Sequence, residues 1–124
     1  MKDFRDLTVW RKAHELTLSV YRVTKGFPKE ELYGLTSQMR RASSSIGANI
    51  AEGCGKRTDA DFARYVQNAF GSASELEYLL LLAFDLQFLE KADYDELSSK
   101  TVEVKKMLAG LIKKIEADRL SAEC

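Results

Sequence analysis

Apolar side chains recur every three or four residues along almost the whole chain, the period of one face of an α-helix. Val9, Ala13, Leu16, Val20, Val23 and Phe27 predict a first helix over 7–25, with Asp6 as N-cap and Gly26 and Pro28 as stop signals. After a turn through 30–34, Leu35, Met39, Ala42, Ile46, Ile50 and Gly53 predict a second over 36–53. Its end, Gly53-Cys54-Gly55, offers glycines for a left-handed C-cap. Phe62, Val66, Ala69, Ala73, Leu76, Leu80 and Ala83 predict a third over 59–89, opened by Thr58 with Asp61 as an acidic variant of the capping box. Leu97, Thr101, Val104, Leu108, Leu111 and Ile115 predict a fourth over 94–117, opened by Asp93 with Glu96, before a polar tail that frays. No strand alternation and no repeat interrupts this pattern. Short connections between long amphipathic helices favour antiparallel neighbours, so the expected fold is all-α, an up-down-up-down four-helix bundle in one domain spanning 1–124.

The third helix carries more apolar surface than one core needs. Tyr78 to Phe84 is an unbroken apolar run, whereas an arc of about 100° suffices for one core. Phe70, Leu81, Phe84 and Phe88 cluster away from the core stripe. Either another copy of the chain covers them, giving a homo-oligomer, or the other helices wrap this one more fully.

Composition narrows the class. The chain has 124 residues, 45% of them hydrophobic and 31% charged, with 19 basic and 19 acidic side chains. That balance excludes a strongly basic nucleic-acid coat protein and an acidic tail. Charge is uneven along the chain, however: residues 1–64 hold 12 basic and 8 acidic side chains, and residues 65–124 hold 7 and 11. No stretch reaches the ~20 apolar residues of a membrane helix, and the charged start lacks a signal-peptide core, so a cytoplasmic location without a membrane partner is expected. One histidine, His14, and two distant cysteines, Cys54 and Cys124, make a four-ligand zinc site improbable; no metal and no cofactor is expected. Cys54 reads as a small residue in a tight turn, with a reactive thiol as the alternative.

Residues 36–58 are the densest in candidate chemistry. Gln38, Arg41, Ser45, Asn49 and Glu52 line one flank of the second helix. They form either a structural polar network that fixes register, or a ligand-facing row in which Arg41 and Asn49 touch phosphate or base. A catalytic carboxylate at Glu52 has no paired acid, base or metal ligand at helical spacing, and an enzyme is not expected. Arg40, Ser44, Gly47, Ala51 and Cys54 line the other flank, small enough for close helix approach. Gly55-Lys56-Arg57-Thr58 is not a phosphate loop, because Ile50 and Arg57 stand where that motif needs Gly and Ser or Thr. Arg11, Lys12, Arg40, Arg41, Lys56, Arg57 and Arg64 are the basic residues expected to share a nucleic-acid-binding surface, the alternative being ordinary solvated charge. Lys105, Lys106, Lys113 and Lys114 read as solvated positions of the fourth helix.

Three segments carry a family resemblance: Asp6-Leu7-x-Val9-Trp10-x-Lys12-Ala13; Phe27-Pro28-x-Glu30-Glu31-Leu32-Tyr33-Gly34-Leu35-Thr36-Ser37-Gln38-x-Arg40-Arg41-Ala42 with Ser45-Ile46-x-x-Asn49-Ile50-Ala51-Glu52-Gly53; and Gly71-Ser72 with Glu75-Leu76-Glu77. Together they resemble the bacterial four-helix bundle proteins encoded in intervening sequences of 23S rRNA genes. The resemblance implies the same bundle, assembled as a homo-oligomer, a pentameric ring, with no catalytic residues. A more distant resemblance is to the accessory protein of diversity-generating retroelements, a pentameric bundle that binds nucleic acid and a reverse transcriptase through basic surface. What the resemblances imply for partners is therefore self, RNA or DNA, with a protein-interaction scaffold as the alternative.

Overall fold

In the computed structural model, which describes residues 2–123, four helices follow a short 3-10 turn: α1 (Thr8–Thr24), α2 (Leu35–Cys54), α3 (Asp59–Asp85) and α4 (Lys91–Glu123). A second 3-10 turn, Lys29–Glu31, joins α1 to α2, and no strand occurs among the described residues. The pairs that touch are α1 with α2, α2 with α3, α3 with α4 and α4 with α1. Each helix therefore meets its two chain or ring neighbours, while α1 faces α3 and α2 faces α4 across the core. This is the expected four-helix bundle. The predicted stripes meet at its centre, where Leu16, Val20, Met39, Ile46, Ile50, Val66, Leu76, Leu80, Val104 and Leu108 lose essentially all contact with solvent. Buried Thr101 and Ser43 donate their hydroxyls to the carbonyls of Leu97 and Arg40, so neither is left unpaired.

The helix ends depart from the sequence reading in instructive ways. Asp6 is not the N-cap of α1; it sits in the 3-10 turn Phe4–Asp6, which Asp3 caps by accepting the Arg5 N–H at 2.9 Å. Leu7 occupies the α1 cap with no side-chain bond. At α2 the cap comes from the preceding turn, since Glu31 Oε1 accepts the Leu35 N–H at 3.1 Å. Thr58 caps α3 as expected, accepting the Asp61 N–H at 3.1 Å.

The left-handed cap predicted at the end of α2 is absent: Gly55 is right-handed, at φ −84°. The left-handed residue is Gln87, φ 66°, and it ends α3 four residues short of Leu89. The Phe88 N–H reaches back to Ala83 O and the Gln87 N–H to Phe84 O, both at 2.9 Å, the paired bonds of a Schellman closure. α4 starts earlier than Asp93, at Lys91, and the tail expected to fray is helical to Glu123; Cys124 lies outside the described residues. No helix among the described residues is long and apolar enough to cross a membrane.

The shortened α3 changes the fate of its surplus apolar residues. Phe88, folded back after the turn, lies 5.7 Å from Phe27 between ring centroids, and Phe84 stacks on Tyr94 at 4.6 Å. Phe70 is half-buried beneath the Lys105 ammonium, 5.1 Å from its ring. Lys105 is accordingly not a plain solvated residue, for its Nζ also pairs with Glu77 Oε1 at 2.8 Å. Of the four residues singled out as an oligomer face, Leu81 alone stays exposed, beside Tyr78.

Candidate functional site

The elbow between α2 and α3 is built on Gly53. A Cβ there would lie 2.9 Å from Tyr65 Cβ and 3.0 Å from the Phe62 ring. Only glycine lets α3 cross this close, and the crossing sets Phe62 and Tyr65 against the end of α2. The Lys2 N–H donates to Cys54 O at 3.3 Å, which brings the start of the chain to the same place. Cations then settle on the two rings. Lys2 Nζ is 4.9 Å from the Phe62 centroid, and Lys56 Nζ and the Arg64 guanidinium carbon each lie 5.1 Å from that of Tyr65. Arg57 is exposed between them in chain order.

Acidic side chains temper this cluster without cancelling it. Asp61 meets Arg64 at 3.5 Å, and Asp59 shares the first turn of α3. Asp3 is engaged by Arg5, whose side-chain and backbone donors hold its carboxyl below the usual carboxylate range. Beneath the elbow the Cys54 thiol is buried, and that burial pushes it above the ordinary thiol value, against a smaller opposing pull from Lys2.

Beyond the elbow, the α2–α3 surface opens into a groove of about 710 Å³ lined by Gln38, Arg41, Ser44, Ser45, Ser72 and Glu75, with Ala42 and Ala48. Its floor is a small hydrogen-bonded group. Ser45 Oγ and Ser72 Oγ share a bond of 2.9 Å, and Asn49 Nδ2 donates to Ser45 O and Oγ at 2.8 and 3.0 Å. The five-residue polar flank thus divides. Ser45 and Asn49 are half-buried and tie α2 to α3, whereas Gln38, Arg41 and Glu52 are exposed.

The seven basic residues do not form one surface. Lys56, Arg57 and Arg64 gather at the elbow. Arg11 is turned onto Arg5 O at 3.0 Å, and Lys12 pairs with Glu103 of α4 at 3.3 Å. Arg40 is held between α1 and α2, its Nε donating to Thr24 Oγ1 at 2.9 Å and its guanidinium 4.7 Å from the Tyr21 ring. Arg41 stands apart at the groove. Lys2 and Tyr65 were in none of the sets drawn from the sequence, while Phe62 stood there only as a core residue and Ser72 only in the family motif. The close approach around Gly53 identifies the two aromatic residues, but nothing local to residue 2 indicates where Lys2 will lie. Among the described residues no group of three or more His, Cys, Asp or Glu is placed to hold a metal.

Bundle, elbow and groove together describe a small helical protein whose polar features line the surface between two helices. The chain matches the 23S rRNA-intervening sequence protein family over residues 5–110, and it belongs to that family. Among solved structures it is similar to a protein of unknown function from the S23 ribosomal protein family of Bacteroides thetaiotaomicron. The two share 27% identity with a TM-score of 0.78, over 86% of this chain and 99% of the other. The comparison with curated proteins returns no match.

Proposed function

We propose that the chain is a non-catalytic, self-assembling helical protein of the cytoplasm, a ring of five copies, which binds RNA or DNA through phosphate contacts at the α2–α3 elbow. The observation that carries the binding site is the convergence of Lys2, Lys56 and Arg64 on Phe62 and Tyr65, with Arg57 beside them. Lys and Arg side chains that neutralise phosphates release condensed counterions, so such binding is salt-dependent and largely indifferent to sequence. A ring multiplies each elbow by its subunit number, which lets a chain of zero net charge present several cationic points at once. The number five comes from the family resemblance, and the resemblance to the retroelement accessory protein supports a nucleic-acid partner.

The test is binding of a structured RNA and of a DNA duplex, measured by fluorescence anisotropy across a salt series. Replacing Lys56, Arg57 and Arg64 together by Ala should flatten the slope of log K against log salt by about 2–3. Arg40→Ala should leave that slope unchanged. Absence of binding at about 50 mM salt, where phosphate contacts are strong, rejects the nucleic-acid part. A protein-interaction scaffold then becomes the better reading.

A further inference from the structure

We infer that copies join head to tail, the outward face of α1 on one copy against the outward face of α3 on the next. This rests on the self-assembly reading and specifies its junction. Arg11 and Leu18 on α1 and Lys25 at its C-cap are spaced by seven residues, two helical turns, so they line one stripe directly away from the core. Tyr21 and Arg22 flank it. Leu18 is 53% exposed and Tyr21 42%. Glu15 is the only acidic side chain on α1. On α3, Tyr78 is 59% exposed and Leu81 43%, and Glu75 and Asp85 bracket them. No Lys or Arg occurs from residue 65 to residue 90. Each face is therefore a pair of exposed apolar side chains among charges mostly of one sign: Arg11, Arg22 and Lys25 outnumber Glu15 on the α1 side, and Glu75 and Asp85 stand nearest the pair on α3, with Arg64 four turns away on the same stripe. Like faces would repel, and unlike faces attract.

α1 and α3 lie across the bundle from each other, so one copy can use both faces at once. Thr17 Oγ1 donates to Ser43 O at 3.0 Å, and Ser45 bonds Ser72 at 2.9 Å, which fixes the relative heights of the three helices. α1 and α3 run the same way, and on this scale Leu18 is level with Glu75 and Tyr21 with Tyr78. Lys25 then falls between Glu75 and Asp85 in height. A neighbour related by rotation about an axis along the bundle, with no shift along it, sets Tyr21 against Tyr78, with Leu18 and Leu81 one turn to either side and Lys25 between the heights of the two carboxylates. Such a heterologous junction closes when its rotation divides a full turn.

The decisive experiment uses two full-length variants that each spoil one face, Leu18→Glu and Tyr78→Glu, in analytical ultracentrifugation. Each alone should sediment as the 14.0 kDa chain at concentrations where the unmodified protein assembles, with the assembly midpoint raised by at least about tenfold. Mixed in equal amounts they should form a dimer and stop there, because one intact α1 face and one intact α3 face remain. If either variant alone still forms dimers or rings, the head-to-tail junction is wrong while self-assembly stands. If the unmodified protein is itself a 14.0 kDa particle, self-assembly fails and the junction with it. Circular dichroism checks folding, and Leu18→Ser with Tyr78→Ser repeats the test with milder changes should a Glu variant unfold.

Discussion

Gly53 and Gly110 are both helical glycines with opposite physical roles. At Gly53 an added Cβ meets Tyr65 and Phe62 at 2.9–3.0 Å, whereas at Gly110 it meets nothing within 4 Å. Gly53→Ala should therefore cost about 1–3 kcal/mol through overpacking. Gly110→Ala should raise stability by up to about 1 kcal/mol through helix propensity. Urea midpoints of the two variants should move in opposite directions. Cys54 gives a second residue-scale prediction. Burial raises its thiol in the folded chain, so the unfolded chain ionises first as pH climbs. Stability is unaffected below the ordinary thiol value and falls with pH above it. In a Cys124→Ser background, Cys54→Ala should remove that alkaline decline, and Cys54 should resist alkylation near pH 8 until denaturant opens the bundle.

Helix existence and core faces were legible because they depend on local spacing. All four predicted stripes turned to the core, Thr101 and Ile115 included, with Val23 and Leu111 half-buried at its edge. Helix ends were less legible, since the capping group comes from whichever neighbour the turn brings near. Glu31 caps α2 from outside it, and the left-handed residue is Gln87, although glycines at 53 and 55 had suggested the end of α2. Gly53 answers a need for close approach, and the backbone there never leaves the right-handed region. A non-glycine left-handed residue costs about 1–2 kcal/mol, and Gly gives back part of the gain through its freer unfolded chain. Gln87→Gly should thus raise the urea midpoint and Gln87→Val lower it. Thr58→Ala, removing the α3 cap, should cost about 1 kcal/mol in the same assay.

For the whole molecule, two consequences follow from the proposed assembly. A chain stabilised by its neighbours unfolds at a temperature that rises with protein concentration. Scanning calorimetry over a hundredfold range should show that rise for the unmodified protein and none for Leu18→Glu. Nucleic-acid binding and assembly should also separate. A Lys56→Ala/Arg57→Ala double variant should keep its sedimentation mass while losing part of its salt-sensitive binding, because both residues lie in the turn between α2 and α3, off the stripes that form the junction.

The amino-acid order alone determined that there are four helices, which side of each is buried, and that α3 carries extra apolar surface. Those properties follow from a periodicity that any stretch of chain displays without its partners. Tertiary structure alone decided which flanking side chains meet. It placed Phe88 on Phe27, Phe84 on Tyr94, Arg40 on Tyr21, Ser45 on Ser72, and Lys2 on Phe62. Each contact joins different parts of the bundle, and its geometry depends on crossing distance and axial register. A helical wheel contains neither quantity. For that reason seven basic residues that looked like one surface resolved into an elbow, a groove residue and three internally engaged side chains.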